Sequence, residues 1–146
     1  MPTVSLVVTD LDGTLWDHEQ RTHPRTRAAW DEIGRRGVPI LVATGRRVGS
    51  TLSALAGLGL RPPAVCLNGA LGVYLADARR FHRAAIDAGD AAAVLAVFRA
   101  HGLQPCVYVD RDDVSVYVDA NPSTHPRHVA SFGADVVTAD LDEVCR

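Results

Sequence analysis

The residues best suited to chemistry form the string Asp10-Leu11-Asp12-Gly13-Thr14 near the start of the chain. In extended chain, residues two apart point to the same side, so the two carboxylates would lie about 6 to 7 Å apart. One carboxylate can attack a substrate while the other acts on the leaving group. Because such carboxylates repel each other, we expect a hard cation such as Mg²⁺ beside them. Gly13 permits a sharp turn, after which main-chain amides can point at an anion.

Two further polar strings follow apolar segments, Thr44-Gly45-Arg46 and Asn68-Gly69. Ligands of open α/β sheets bind beyond the carboxyl ends of the strands, which is where all three strings would lie. Simpler interpretations stay open for parts of them. Asp12-Gly13 is also a common turn dipeptide, and Arg46 could be a solvated arginine at the start of a helix.

Apolar periodicity predicts the elements that would hold these strings. Strands are predicted over residues 4–9, 38–43 and 64–67, the first two as runs buried on both faces. Helices are predicted from Pro24 to a glycine stop at Gly37 and over residues 48–56. This β-α-β-α-β order indicates an α/β fold with a parallel, Rossmann-like sheet.

The pattern changes near Ala70, which we take as a domain boundary. Strand-like alternation over 71–75 and 81–86 predicts a hairpin, followed by a helix over 91–101 that Asp90 would cap. A second hairpin is predicted from 106–109 and 114–118, then a short helix over 126–132 and a strand over 136–138. The tail, residues 140–146, has no clear partner. The sequence therefore predicts an α/β core in residues 1–70 and an α+β unit in residues 71–146.

The first two strings resemble motifs I and II of the haloacid dehalogenase (HAD) superfamily of phosphatases and phosphotransferases. Asn68-Gly69-Ala70 resembles the Cof-like branch, in which a type IIB cap is inserted after the third strand. The resemblance implies that residues 1–70 are the N-terminal part of a catalytic core and residues 71–146 a cap, or part of one. It also implies that the chain is the N-terminal portion of a larger enzyme, or a short relative that takes its remaining motifs from a partner.

By this resemblance Asp10 is the nucleophile, which forms an aspartyl-phosphate, and Asp12 protonates the leaving oxygen and then activates water. Mg²⁺ binds the Asp10 side chain and the Asp12 main-chain carbonyl. The phosphoryl group is held by the Thr44 hydroxyl and by main-chain amides. The full phosphate-binding set is Leu11, Gly13, Thr14, Thr44 and Gly45, and substrate contacts are expected at Arg46 and Asn68.

These residues predict a Mg²⁺-dependent phosphatase for a small phosphorylated metabolite such as a sugar phosphate. Two alternatives stay open, a phosphomutase and a catalytically incomplete fragment or phosphate-binding module. The second arises because the family's third motif, usually lysine, has no clear match: all 15 basic residues are arginine. Gly89-Asp90 also lacks the second acid that the fourth motif requires.

The composition limits which partners and which cellular location are expected. A net charge of −2, without a basic block longer than a pair, disfavours nucleic acid. No apolar run reaches the roughly 18 to 20 residues that span a bilayer. Three cysteines without a Cys-x-x-Cys pair favour a reducing compartment, so we expect a cytoplasmic protein. Strand 4–9 would have an open apolar edge, which predicts a homo-oligomer or pairing with a further C-terminal segment.

Two weaker signals do not decide between interpretations. Trp16 could line the site or only pack beneath the loop that follows the aspartates. His125 and His128 have a spacing that a metal pair could use, but Pro126 lies between them and no third ligand is evident, so a solvated loop is favoured.

Overall fold

Apolar segments early in the chain pair into one sheet in the computed structural model, which describes residues 4–111, 116–120 and 125–146. The strands are β1 (Val7–Thr9), β2 (Ile40–Ala43), β3 (Pro63–Cys66), β4 (Leu71–Tyr74) and β5 (Arg80–Arg83). They lie side by side in chain order. The first three run parallel, and β4 and β5 add antiparallel. The predicted α/β fold with a parallel-containing sheet is confirmed.

Two helices connect the parallel strands, α1 (Pro24–Arg35) and α2 (Val48–Ala56). Proline suits the first position of α1 because no intrahelical partner exists there for an amide hydrogen. The His23 side chain caps this helix by accepting a hydrogen bond from the Arg25 amide. The bounds of α2 are those that the sequence predicts. A short 3₁₀ turn (Leu67–Gly69) follows β3.

One face of the sheet forms the hydrophobic core of this part of the chain. Its fully buried members include Val42 of β2, Ala64 of β3, Val73 of β4 and Leu55 of α2. Partly buried side chains from both helices pack against them, among them Trp30 of α1. Alternation along the strands places these residues on one side, so the two helices share a single apolar layer.

The hairpin of β4 and β5 shows a close fit between a glycine and an aromatic ring. A side chain at Gly72 would collide with the ring of Phe81, so the ring occupies the space that the glycine leaves. Phe81 also meets Tyr74 edge to face, with ring centroids 5.1 Å apart. The register shifts between Gly72 and Val73, which adds a bulge to the pairing.

The chain forms two units, Met1–Ala84 and Ala85–Arg146. The hairpin after Ala70, which the sequence places with the second domain, pairs with β3 and lies in the first unit. Alternation alone indicates a hairpin but does not indicate which sheet the hairpin joins.

The second unit has its own three-stranded sheet. Its elements are α3 (Ala88–Ala100), β6 (Cys106–Tyr108), β7 (Val116–Val118), α4 (Pro126–Ala130), a 3₁₀ turn (Gly133–Asp135), β8 (Val136–Thr138) and α5 (Leu141–Val144). β6 pairs antiparallel with β7, and β8 adds parallel to β7. The predicted second hairpin therefore forms, although residues 112–115 of its turn lie outside the described residues. No helix in the described ranges is both long and apolar enough to span a bilayer.

Two predictions for this unit are wrong in detail. Asp87, not Asp90, caps α3, because the Asp87 carboxylate accepts a hydrogen bond from the Asp90 amide. The tail does have a partner: Leu141 is fully buried with Leu95 and Tyr117 in the second core. A single buried leucine in a polar tail carries no periodicity, so the sequence pattern could not reveal it.

Strand β1 is far more exposed than its apolar sequence predicts. It pairs with β2 alone among the described strands, and Val4, Leu6 and Val8 are 62%, 49% and 54% exposed. The prediction of burial on both faces is wrong for this chain because no described element covers the outer edge or the open face of β1. An uncovered apolar edge strand is a template for pairing with another chain.

We therefore expect the chain to self-associate through β1. The Val8→Lys substitution should weaken this association about tenfold or more, since it replaces a valine that association would bury. A lysine on an edge strand opposes edge-to-edge pairing. Sedimentation velocity over a concentration series measures the effect. Val94→Lys is the matched control, because Val94 is 48% exposed but lies on helix α3. A folded wild-type chain that stays monomeric at all concentrations would contradict this expectation.

Candidate active site

The three polar strings meet at one edge of the first sheet, at the carboxyl ends of the parallel strands. Asp10 follows β1, Thr44 follows β2 and the Leu67–Gly69 turn follows β3. Together they border an open cleft of about 490 Å³. The cleft is lined by Asp10, Ala43, Thr44, Gly45, Val65, Asn68 and Gly69. This is where open α/β sheets bind ligands.

The loop after Asp10 is a tight turn rather than extended chain. The Leu11 carbonyl accepts hydrogen bonds from the amides of Thr14, Leu15 and Trp16 at 3.2, 2.9 and 3.2 Å. Gly13 has φ +75°, a left-handed backbone that glycine adopts without strain. The expected spacing of the two carboxylates assumed an extended chain, and that assumption is wrong because the strand ends at Thr9.

Main-chain hydrogen bonds connect the loop after β2 to strand β3 and to the turn that follows it. The Thr44 amide donates to the Val65 carbonyl at 2.9 Å, and the Leu67 amide donates to the Arg46 carbonyl at 3.1 Å. The Thr44 side chain is buried, and its hydroxyl oxygen accepts a hydrogen bond from the Arg46 amide at 3.2 Å. The position of this hydroxyl is therefore fixed by the loop that surrounds it.

The turn after β3 holds strained backbone directly beside the cleft. Leu67 and Asn68 have φ +52° and +53°, in the left-handed region that non-glycine residues seldom adopt. Such conformations persist where the surrounding structure imposes them, often at ligand sites. The turn brings the Asn68 amide so close to Gly45 that a Cβ at Gly45 would lie 2.8 Å from Asn68 Oδ1.

A charged pair joins the loop after β1 to the loop after β2. Arg46 donates through Nε to Asp12 Oδ2 at 2.7 Å and through Nη2 to Asp12 Oδ1 at 2.6 Å. Trp16 Nε1 also donates to Asp12 Oδ1, at 3.0 Å. The hydrogen bond from Arg46 lowers the pKa of Asp12, against a smaller opposing effect of partial burial. Asp12 in turn raises the pKa of Arg46, so both groups are ionised at neutral pH.

The structure brings only part of the predicted site into the cleft. Asp10, Thr44, Gly45 and Asn68 line it, whereas Asp12 and Arg46 bind each other. Gly13 and Thr14 border a separate hollow of about 440 Å³, formed with residues of the loop before α1. The interpretation of Arg46 as a solvated helix-start residue is wrong, since its side chain is 23% exposed and held by Asp12.

Sequence reasoning missed two residues of the cleft and the Asp12–Arg46 pair. Ala43 and Val65 line the cleft, but small and aliphatic residues carry no chemical signal. The ion pair did have a signal. Adjacent parallel strands bring their following loops together, so an acid after one strand and an arginine after the next are candidates to meet.

Oxygen atoms of Asp10 and Asp12 could supply part of the ligand shell of a magnesium ion. The Asp10 side chain is exposed, and the described residues place no hydrogen-bond donor on its carboxylate. The Asp12 carboxylate is engaged by Arg46 and Trp16, which leaves its main-chain carbonyl as the second hard oxygen. Within the described ranges, no three His, Cys, Asp or Glu side chains gather as metal ligands. Mg²⁺ sites commonly use one or two protein oxygens with waters and substrate phosphate.

A family model for haloacid dehalogenase-like hydrolases matches residues 7–143. The chain belongs to this family. The match includes both β1 with its aspartates and the second unit, so the resemblance that the motifs indicate is confirmed.

Two curated relatives of this HAD chain are phosphatases by name. Phosphoglycolate phosphatase of Methanopyrus kandleri is 34% identical over 67 residues, 46% of this chain and 29% of that protein. Phosphatase YwpJ of Bacillus subtilis is 29% identical over 84 residues, 58% of this chain and 29% of that protein. The alignments therefore span less than a third of either relative's length.

Two solved structures share the fold of this chain. TM0651 from Thermotoga maritima superposes with a TM-score of 0.76 at 22% identity, over 97% of this chain and 52% of that chain. The subclass IIB sugar phosphatase BT4131 superposes with a TM-score of 0.75 at 23% identity, over 97% of this chain and 54% of that chain. The HAD chain thus spans about half the length of these structures.

The Asp12–Arg46 pair should make stability depend on pH in the acidic range. Folding lowers the pKa of Asp12, so its contribution is full above the unfolded pKa, about 3.9, and is lost as pH falls through the lower folded value. We expect Asp12→Asn to cost less than about 1 kcal/mol near pH 7, because the carboxylate is half exposed, and progressively less below about pH 4.

Urea unfolding of wild type and Asp12→Asn from pH 7 to pH 3 measures this difference. Asp10→Asn is the matched control, since no described donor holds that carboxylate. A difference between wild type and Asp12→Asn that stays constant across this pH range would show that the pair does not couple to folding.

The contact between Gly45 and Asn68 gives a second expectation. In Gly45→Ala, the new methyl group meets Asn68 Oδ1, and we expect a loss of about 1 kcal/mol in the free energy of unfolding. Gly45→Ala should cost at least about 0.5 kcal/mol less when it is made in the Asn68→Ala variant, because that variant lacks the group that the methyl meets.

Equilibrium urea unfolding of the two single variants and the double variant measures this coupling. Gly57→Ala is the control, since its Cβ would have its nearest described neighbour at 3.6 Å, an ordinary contact. Additive losses in the Gly45 and Asn68 variants would mean that the two residues do not touch in solution.

Proposed function

We propose that the protein is a Mg²⁺-dependent phosphatase that hydrolyses a small phosphorylated metabolite through an aspartyl-phosphate. The observation that supports this most directly is the Asp10 carboxylate, which is exposed at the cleft and free of described hydrogen-bond donors. A carboxylate without donors keeps its oxygen lone pairs available for attack. Membership of the HAD hydrolases and relatives named as phosphatases support the same reaction class.

In the proposed reaction, an Asp10 oxygen attacks phosphorus, and the bond from phosphorus to the leaving oxygen breaks. The leaving oxygen takes a proton from Asp12, so the form of the enzyme that reacts is the one in which Arg46 has released the Asp12 carboxyl group and that group is protonated. Water then attacks the phosphorus of the aspartyl-phosphate and gives its proton to Asp12, while the bond from Asp10 to phosphorus breaks. The products are an alcohol and inorganic phosphate, and both aspartates return to their starting states.

The rest of the cleft suits the task of holding a phosphoryl group. The buried Thr44 hydroxyl lies at the edge of the cleft, and Gly45 and Asn68 lie beside it. Phosphoryl transfer requires mainly positioning and charge stabilisation of the equatorial oxygens, which hydroxyl and amide donors can supply. Glycine at position 45 leaves room for the Asn68 side chain, which lies where a Cβ would be.

Magnesium would be held by the Asp10 carboxylate and the Asp12 main-chain carbonyl. When bound, it would neutralise charge on Asp10 and on the phosphate, which otherwise repel each other. An open cleft of about 490 Å³ fits a small metabolite, and a sugar phosphate or phosphoglycolate is the class that we favour. The names of two similar proteins, a sugar phosphatase and a phosphoglycolate phosphatase, suggest these candidates.

A phosphate-binding module without turnover is the second candidate. The chain contains no lysine among its 15 basic residues, and its described residues gather no third metal-ligating side chain. Arg46 is a cation near Asp12, but its guanidinium is already committed to the Asp12 carboxylate. Such a module would keep the phosphate cradle and lack the charge that accelerates transfer.

Release of inorganic phosphate from a panel of sugar phosphates and phosphoglycolate, with Mg²⁺ or with EDTA, tests the proposal. We expect turnover with Mg²⁺ only, and a loss of at least about 10³-fold in Asp10→Asn, because an amide cannot act as the nucleophile. Asp31→Asn is the control that should keep full activity, since Asp31 is an exposed residue of α1 paired with Arg27.

The same assay separates the alternatives. A folded wild-type chain that binds phosphate and releases none from any substrate would favour the binding module. Phosphoryl groups that appear on a second sugar position rather than in water would indicate a phosphomutase. Activity that survives in Asp10→Asn would remove Asp10 from the role of nucleophile.

A further inference from the structure

Trp16 is the one aromatic residue that touches both partners of the Asp12–Arg46 pair in the described part of the chain. Its side chain is 3% exposed and packs in the first core with Leu11 and Leu15. Core packing fixes the plane of a large aromatic ring, and hence the direction in which its N–H points. That N–H points at Asp12 Oδ1, 3.0 Å away.

The backbone of the loop places the two residues side by side. The Gly13 amide donates to the Trp16 carbonyl at 2.9 Å, which turns the chain back so that Trp16 lies next to Asp12. A buried indole N–H must find an acceptor or remain unsatisfied. The carboxylate therefore satisfies the indole, and the indole in turn restrains the carboxylate.

The Asp12 side chain needs such restraint. It is short, it lies in a loop, and it is 52% exposed. Trp16 contacts it from the core, and Arg46 contacts it from the loop after β2. The Arg46 guanidinium carbon also lies 5.4 Å from the centre of the Trp16 ring, within the range of a cation–π contact.

We infer that Trp16 is a positioning residue: its indole N–H and ring face set the direction of the Asp12 carboxylate and of the Arg46 guanidinium. Trp16 acts through Asp12 and Arg46, and its indole transfers no proton and attacks no atom in the proposed reaction. Its importance for turnover rests on the proposed function of Asp12 as acid and base. A phenylalanine could fill most of the same core space, so the N–H is the group that distinguishes positioning from packing.

Trp16→Phe in ¹⁵N-labelled protein tests this inference without turnover. We expect hydrogen exchange of the Arg46 Nε–H with water to accelerate about tenfold, the effect of losing one hydrogen bond to a charged group. Trp30→Phe is the matched control, because Trp30 is the other tryptophan and packs on the same core away from Asp12. An exchange rate within about twofold of wild type in Trp16→Phe, as in the control, overturns the inference.

A second variant covers the case in which Trp16→Phe does not fold. In otherwise wild-type protein, Asp12→Asn should move the indole N–H signal of Trp16 and leave that of Trp30 in place. An unmoved Trp16 signal overturns the inference.

The kinetic readout separates this inference from the proposed function. On any substrate that the wild type hydrolyses, Trp16→Phe should lower kcat about tenfold with KM within about twofold, because one hydrogen bond that orients Asp12 is lost. Unchanged kcat overturns the role in turnover. If the wild type hydrolyses nothing, the proposed function fails, while the exchange measurement still decides whether Trp16 positions the pair.

Discussion

Parallel pairing of β1, β2 and β3 is the constraint on which the candidate active site depends. The register joins Thr9 to Val42 and Ala43 to Val65, so each strand ends at the same edge of the sheet. The residue that follows each strand then enters a common space, which is how Asp10 and Thr44 become neighbours of the turn after β3. Hydrogen bonds of the main chain, rather than the polar side chains themselves, bring the site together.

The ion pair of Asp12 and Arg46 adds a side-chain connection to this backbone frame. Arginine suits the task because its planar fork binds both carboxylate oxygens and stays charged at all physiological pH values. A lysine would present a single point charge and lacks the two parallel N–H donors that match both oxygens. The connection thus depends on the geometry of one residue type, in a chain whose basic residues are all arginine.

Local sequence patterns allowed much of the fold to be predicted. The features that were missed depend on contacts between residues far apart in the sequence. The bounds of α2 and the position of Asp10 after a strand depend on residues close in sequence. The hydrogen bonds between Asp12 and Arg46 join residues 34 positions apart, so no periodicity could show them. The exposure of Val8 depends on what lies beyond the edge strand, whereas its apolar character predicts only that burial would be favourable.

The fit of the Phe81 ring over Gly72 has a consequence for how the hairpin aligns. Strand pairing can slide by two residues without exchanging the faces of the sheet, and backbone hydrogen bonds alone hardly discriminate between such alignments. Here a slide of that size would place the ring over a position with a side chain, such as Tyr74, instead of over bare backbone. The ring therefore fits over Gly72 only in the observed register. The glycine selects this register because the shifted registers would place the ring against a side chain.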